Sequence, residues 1–359
     1  MLFLAIFGCW SAPLQAATTF GNGSLKGRWA VEVGPAVSFA AVAPSSTGLD
    51  PGNVTLATRQ HVARVGVLDW DGNGFAAGRF IAVTDTNAGQ TMTIDYQWTG
   101  TYTLNPDGTG TLNITAITTA TCAPDPPPEG GVCTDYVAPS PLSPVPSYVG
   151  NETFALSMSK RYGTLALMQR QDGGSAGAKI LLTGEAIRQS RSVTPYFFTS
   201  NSLTSRWQFQ FAPAMSFAAL APLPPPVAPV YPGPGNVILA PRQNVMRVGY
   251  VEFNGVGTVV PGTVLAYTDN LLGEPITMQF QWVGTYTIAA DGIGTLNLTP
   301  VVNPLTACTP PDVNCGTFQS PETYAFVASK SSQHLMLIQT NNVRGTGAVI
   351  YQRGTAQKQ

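Results

Sequence analysis

Charge is the scarcest property of this 359-residue chain. Asp, Glu, Lys and Arg make up 10% of it, and 18 basic residues against 19 acidic ones leave a net charge of −1. A protein that neutralises nucleic-acid phosphates needs an excess of Lys and Arg, so nucleic acid is excluded as a partner. The same balance excludes a charge-driven disordered tail. Histidine is nearly missing, with only His61 and His334. No His/Cys/Asp/Glu group has metal-ligand spacing, so no metal is expected. No glycine-rich loop leading into a helix occurs, and no cofactor is expected. Apolar runs long enough to cross a bilayer are also lacking, so no membrane span is expected. Nor is there an amphipathic helix longer than a turn or two. What the chain does have is 44% apolar residues, 37 Gly and 30 Pro. That mixture suits a packed core made of short strands and loops.

Residues 1–17 read as a signal peptide. An unbroken apolar stretch, Met1 to Trp10, precedes small residues that end at Ala16 and Ala17. The expected location is therefore exported: periplasmic, extracellular or cell-surface. Ile6-Phe7-Gly8-Cys9 faintly resembles a bacterial lipobox, which would lipidate Cys9. Cys122 and Cys133 flank one Pro-rich loop, and Cys308 and Cys315 flank another. Two local disulfides in an exported protein are the natural reading. Zinc would need the thiolates to converge with each other or with His, and no His lies near either pair.

The chain repeats itself. Arg28-Trp29 returns as Arg206-Trp207, and Arg64-Val65-Gly66 as Arg247-Val248-Gly249. Gln97-Trp98 followed by Gly100-Thr101-Tyr102-Thr103 returns as Gln281-Trp282 followed by Gly284-Thr285-Tyr286-Thr287. Gly110-Thr111-Leu112-Asn113 returns as Gly294-Thr295-Leu296-Asn297, and Gln169 as Gln339. The copies span residues 25–188 and 203–356, with a short polar linker at 189–202. Each copy is domain-sized, so this is a tandem duplication and not a solenoid.

Within each copy the hydrophobic period is two. Met92, Ile94, Tyr96, Trp98, Gly100, Tyr102 and Leu104 share one strand face, while Thr, Asp and Gln fill the other. Gly100 and Gly284 sit mid-strand, where a long strand bends round a barrel corner. About eight strands per copy are joined alternately by tight turns and by long, Pro-rich connections. Asp71-Gly72-Asn73-Gly74 and Asn105-Pro106-Asp107-Gly108 are two of the tight turns. The fold class is all-β: two tandem antiparallel up-and-down barrels, each closed by turns at one end and carrying an elaborated mouth at the other. A β-sandwich is the alternative.

Gly27-Arg28-Trp29 resembles the Gly-X-Trp that opens the first strand of lipocalins, and the long first loop sits where that family carries its lid. The chain thus resembles the calycin superfamily of lipocalins and avidins, with allene oxide cyclase-like barrels as another possible relative. The phrases Gly-Thr-Tyr-Thr and Asp-Gly-X-Gly-Thr-Leu look like those of uncharacterised bacterial exported barrel proteins. The calycin resemblance implies a late-barrel Arg, Arg188 or Arg353, covering the first-strand Trp. The second copy departs from the motif, with Ser205 in place of the Gly.

Polar residues kept in both copies mark the candidate site: Gln60/Gln243, Arg64/Arg247, Asp85/Asp269, Lys160/Lys330 and Gln169/Gln339. If Val62, Arg64, Gly66, Leu68 and Trp70 face inward, Arg64 lies inside the barrel near the mouth and needs a carboxylate. Asp85 is the expected partner. Separately, Asp69, Asp85 and Glu152 are carboxylates that could converge as a glycosidase-type acid pair. The functional reading has Arg64 and Asp85 orient a ligand's polar end over Trp29, Tyr96, Trp98 and Tyr102. Arg247, Asp269, Trp207 and Trp282 are the counterparts in the second copy. The plain reading is an outward Arg64 or a structural salt bridge, with the aromatic stripe filling its own barrel. Three functions follow. The first is a protein binding a small, mostly apolar ligand at the barrel mouths. The second is a structural or adhesive protein whose Pro-rich loops contact a surface or matrix partner. The third is an allene oxide cyclase-like enzyme. No catalytic residue can be named, and a binding protein is favoured over an enzyme.

Overall fold

The computed structural model describes residues 19–38, 60–85, 91–125, 152–159, 163–171, 182–190, 197–216, 243–269, 275–301, 308–309, 321–329, 333–341 and 352–359. The stretch read as a signal peptide, residues 1–17, lies outside the described residues, as do Cys133 and Cys315.

Strands β1 (Gly27–Ser38), β2 (Gln60–Trp70), β3 (Phe75–Asp85), β4 (Thr91–Leu104), β5 (Thr109–Asp125), β6 (Thr153–Ser159), β7 (Thr164–Gln171) and β8 (Thr183–Ser190) form an antiparallel meander. Pairing of β8 with β1 closes it into a barrel. The second barrel repeats the plan with β9 (Thr204–Ser216), β10 (Gln243–Asn254), β11 (Thr258–Asp269), β12 (Pro275–Ile288), β13 (Ile293–Val301), β15 (Glu322–Ala328), β16 (His334–Asn341) and β17 (Arg353–Lys358). There β17 returns to β9, and the short β14 (Cys308–Thr309) adds to β12. Both halves are thus closed eight-stranded antiparallel barrels, and the sandwich alternative is set aside. β8 runs to Ser190, into the segment read as linker.

The closed end is built by short polar side chains that satisfy turn backbones. Asp71 Oδ1 accepts hydrogen bonds from the N–H groups of Asn73, Gly74 and Phe75 at 2.7, 3.0 and 3.0 Å. Asn254 does the same in the second barrel, accepting from Val256 and Thr258 at 3.0 Å each. A 3-10 turn caps each barrel just before its first strand, at Asn22–Ser24 and Ser200–Ser202. Trp29 and Trp207 anchor there, donating Nε1–H to Leu25 O at 2.8 Å and to Thr204 O at 3.1 Å. Arg188 lies 4.6 Å over the Trp29 ring and donates to Ser24 O. Arg353, the other residue considered for that role, lies instead where the barrels meet, donating to Gly34 O at 2.5 Å.

The alternation of each strand sorts its side chains between interior and surface. Ile94, Tyr96, Trp98 and Tyr102 of β4 are buried, while Gln97, Thr101 and Thr103 are exposed. One apolar cluster fills the first barrel around Trp29, Phe80, Trp98 and Phe154, and a second fills the other around Trp207, Phe209, Phe211 and Trp282. A third cluster lies outside both barrels and joins them. Ala30, Ala63, Val65, Val67 and Val83 of the first barrel pack there on Ile293, Ala325, Val327, Met336 and Ile338 of the second. Polar ties flank it. Arg79 binds Asp95 at 2.9 and 2.7 Å and reaches Asp291 at 3.0 Å, and Gln189 donates to Ala328 O.

Candidate polar layer below the barrel mouths

Arg64 shares the inward face of β2 with Leu68 and Trp70, and it is buried. Its guanidinium meets the Glu152 carboxylate in two parallel hydrogen bonds, Nη1 to Oε2 at 2.5 Å and Nη2 to Oε1 at 2.7 Å. The expected partner was Asp85. Arg64 stands opposite Ala82 in β3, and its side chain crosses the barrel to the start of β6 instead of following β3. Asp85 and Asp269 close β3 and β11, and their side chains lie outside the described residues.

The second barrel repeats the pair. Arg247 donates to Glu322 at 2.5 and 2.7 Å, and Tyr324 completes a triangle, accepting from Arg247 at 2.8 Å and donating to Glu322 at 2.7 Å. The tyrosine has changed strands between copies. Tyr96 of β4 stands where β12 has Phe280, and Phe154 of β6 stands where β15 has Tyr324. Each barrel therefore keeps one phenol and one benzyl ring at these positions.

The electrostatics follow from burial. Desolvation alone would lower the basicity of both arginines, but the adjacent carboxylates Glu152 and Glu322 outweigh it and hold both guanidinium groups charged. Burial raises the Tyr96 phenol well above its ordinary value, with Arg64 opposing and Glu152 adding, so it stays a neutral O–H. With both carboxylate oxygens occupied by a charged fork, the pair is poorly placed to act as a base or to capture an anion. Several polar atoms of the layer make no hydrogen bond among the described residues: Arg64 Nε, Tyr96 Oη, Trp98 Nε1 and Gln169 Oε1 in the first barrel. In the second they are Arg247 Nε, Trp282 Nε1 and Gln339 Oε1.

Of the aromatic residues read as a pocket, Tyr96 and Trp98 belong to this layer and the packed rings beneath it. Phe80 lies against both, with ring centroids 5.7 Å apart in each case. Trp29, Tyr102 and Trp207 do not join it. Tyr102 Oη accepts from Gly72 N at 2.9 Å and donates to Asn22 O at 3.2 Å, at the turn-closed end. Burial pushes its phenol up to about 12. Trp282 lies in the second barrel's counterpart, with the Arg247 guanidinium 5.6 Å from its ring centroid. The glutamates were the least visible partners. Their signal was the repeat Glu152-Thr153-Phe154-Ala155 and Glu322-Thr323-Tyr324-Ala325, which brings one carboxylate per copy to the same strand start.

A second concave feature lies at the seam. A cavity of about 440 Å³ is lined by Glu32, Thr183, Gly184, Glu185, Gln210, Arg353, Gly354 and Thr355. Burial, with the facing Glu185 adding, pushes the Glu32 carboxyl up to about 7, although Arg353 Nη1 lies 3.8 Å away. Glu32 was not foreseen as special. It stands on the outward face of β1, which becomes an inner wall only once the second barrel is docked.

No protein-family model and no curated protein matches the chain. Among solved structures, it aligns with Salmonella typhi OmpF in complex with daunomycin at 10% identity, over 92% of this chain and 96% of that one. The TM-score of 0.17 is far below that of a shared fold.

Proposed function

We propose that the protein is an exported structural or adhesive protein: two solid barrels that hold Pro-rich loops against a surface or matrix partner. The observation that supports it is the filled interior. Aromatic rings occupy each barrel from the turn-closed end upward, and a self-neutralised Arg–Glu pair lies beneath the loop-bearing end. A small apolar ligand would have to displace packed side chains to enter. The outward residues of β4, among them Gln97, Thr101 and Thr103, suit a wall facing water better than one facing lipid. The calycin-like ancestry inferred from Gly27-Arg28-Trp29 gains support from Arg188 stacked on Trp29. The test shortens the connections at residues 42–59, 134–150, 217–242 and 316–320 to Gly-Ser turns, leaving all four loop cysteines in place. The thermal transition should stay in place while pelleting of the purified protein with host surface material is lost. Undiminished pelleting would refute the reading.

A second reading rests on the unpartnered buried atoms of the polar layer, which suit the polar end of a small ligand held at the mouth. Native mass spectrometry of protein from its own host separates the two. A bound mass that disappears in Arg64→Ala favours the ligand, and the bare chain mass favours the scaffold.

A further inference from the structure

The two barrels touch through unlike faces. The first contributes the outer face of β2 and β3, and the second contributes the outer face of β15 and β16. Because the barrels are copies, each carries both faces, and one of each is left over.

On the second barrel, the counterpart of the β2–β3 face is exposed and apolar. Val248 stands for Val65 and Met246 for Ala63, and Leu265 lies opposite Val248 as Ile81 lies opposite Val65. Met246, Val248 and Leu265 are 45%, 48% and 45% exposed. Three neighbouring large apolar side chains are out of keeping with barrel walls otherwise faced by Thr and Gln. On the first barrel, β6 and β7 supply the other unused face. Ala155 pairs with Met168 and Ser157 with Ala166, in the register by which Ala325 pairs with Ile338 and Val327 with Met336. These residues are small except for Met168, which is 52% exposed.

We propose that the free face of the second barrel docks on the free face of the first barrel of another copy of this chain, repeating between chains the contact already made within one. Such a contact is heterologous, so it propagates head to tail and either closes a ring or grows as a filament, depending on the rotation per step. It is weaker than the internal contact, because the polar tie does not repeat. Arg79, which reaches Asp291, is replaced by Thr263 on the second barrel. Assembly should therefore depend on concentration. The inference is independent of what the loops bind.

Sedimentation velocity from micromolar to submillimolar protein tests it. The wild-type chain should gain mass with concentration. Val248→Asp and Met168→Asp, both at exposed positions and checked for unchanged far-UV spectra, should each stay monomeric. An equimolar mixture of the two should form dimers and nothing larger, because each variant retains the face the other has lost. A wild-type chain that stays monomeric throughout would overturn the proposal. So would association that survives Met168→Asp, the sign of symmetric pairing through the second barrels, or a mixture that stays monomeric.

Discussion

Arg64 and Glu152 face each other through a two-pronged ion pair across 88 residues of sequence, with both side chains almost fully buried. Removing one partner leaves the other charge stranded in a low-dielectric interior. That costs about 3–5 kcal/mol, whereas replacing both with apolar side chains of similar size is often neutral or stabilising. Glu152→Leu and Arg64→Met should each lower the urea midpoint strongly, and the double variant should recover most of the loss. A double-mutant cycle in which the losses simply add would show that the pair is not coupled. The same cycle on Arg247 and Glu322 should show a third participant, since Tyr324 bonds both members.

Glu32 makes the stability of the docked barrels depend on pH. Its carboxyl is pushed up from an ordinary 4.5 to about 7 by burial at the seam, with Glu185 adding and Arg353 opposing. Between those values the folded protein binds more protons than the unfolded chain, so stability falls as pH rises through that window and levels off above it. The whole effect is at most about 3 kcal/mol. Urea unfolding at about pH 5, 6 and 8 should show the decline, and Glu32→Gln should flatten it. An equal slope in the variant would assign the effect elsewhere.

Much of the architecture could be read before any coordinates, because closure of a small barrel is written in period-two alternation and in the unequal lengths of its connections. The inward set of β4 follows from Ile94, Tyr96, Trp98 and Tyr102 alone. The inward Arg64 could also be anticipated from its companions Leu68 and Trp70. Its partner could not, since Glu152 reaches it across the barrel interior, and strand adjacency pointed to Asp85 instead. The docking of the two barrels was equally hidden. Val65 and Val67 alternate with Arg64 and Leu68 along β2, and nothing local says that the outer wall of one barrel is covered by the other while the matching wall of the second is bare.

Gly284 marks a place where two strands approach too closely for any side chain. A Cβ there would sit 1.9 Å from Asn297 O, and at Gly100 it would sit 2.1 Å from Asn113 O. Both obstacles are backbone of the neighbouring strand, which cannot move without breaking the ladder. Gly284→Ala and Gly100→Ala should each cost at least about 2 kcal/mol. Gly23→Ala, with nothing within 4 Å of the added methyl, should stay within about 0.5 kcal/mol of wild type. Comparable midpoints for Gly284→Ala and Gly23→Ala would mean that the strands can spread.

The cysteine pairs can be settled chemically. Cys122 lies opposite Ile94 in β4, and Cys308 lies opposite Met278, the equivalent position of β12, so the repeat holds both at the same register. Their expected partners, Cys133 and Cys315, lie a short Pro-rich loop further along. If both loops are bridged, alkylation of the unfolded, unreduced mature protein labels no thiol, and reduction exposes all four. Bridging loops of this kind contributes about 2–4 kcal/mol by restricting the unfolded chain. Paired Cys→Ser replacement in one copy should therefore lower the unfolding free energy by about that amount. Free thiols in the unreduced protein would remove the disulfides from this description.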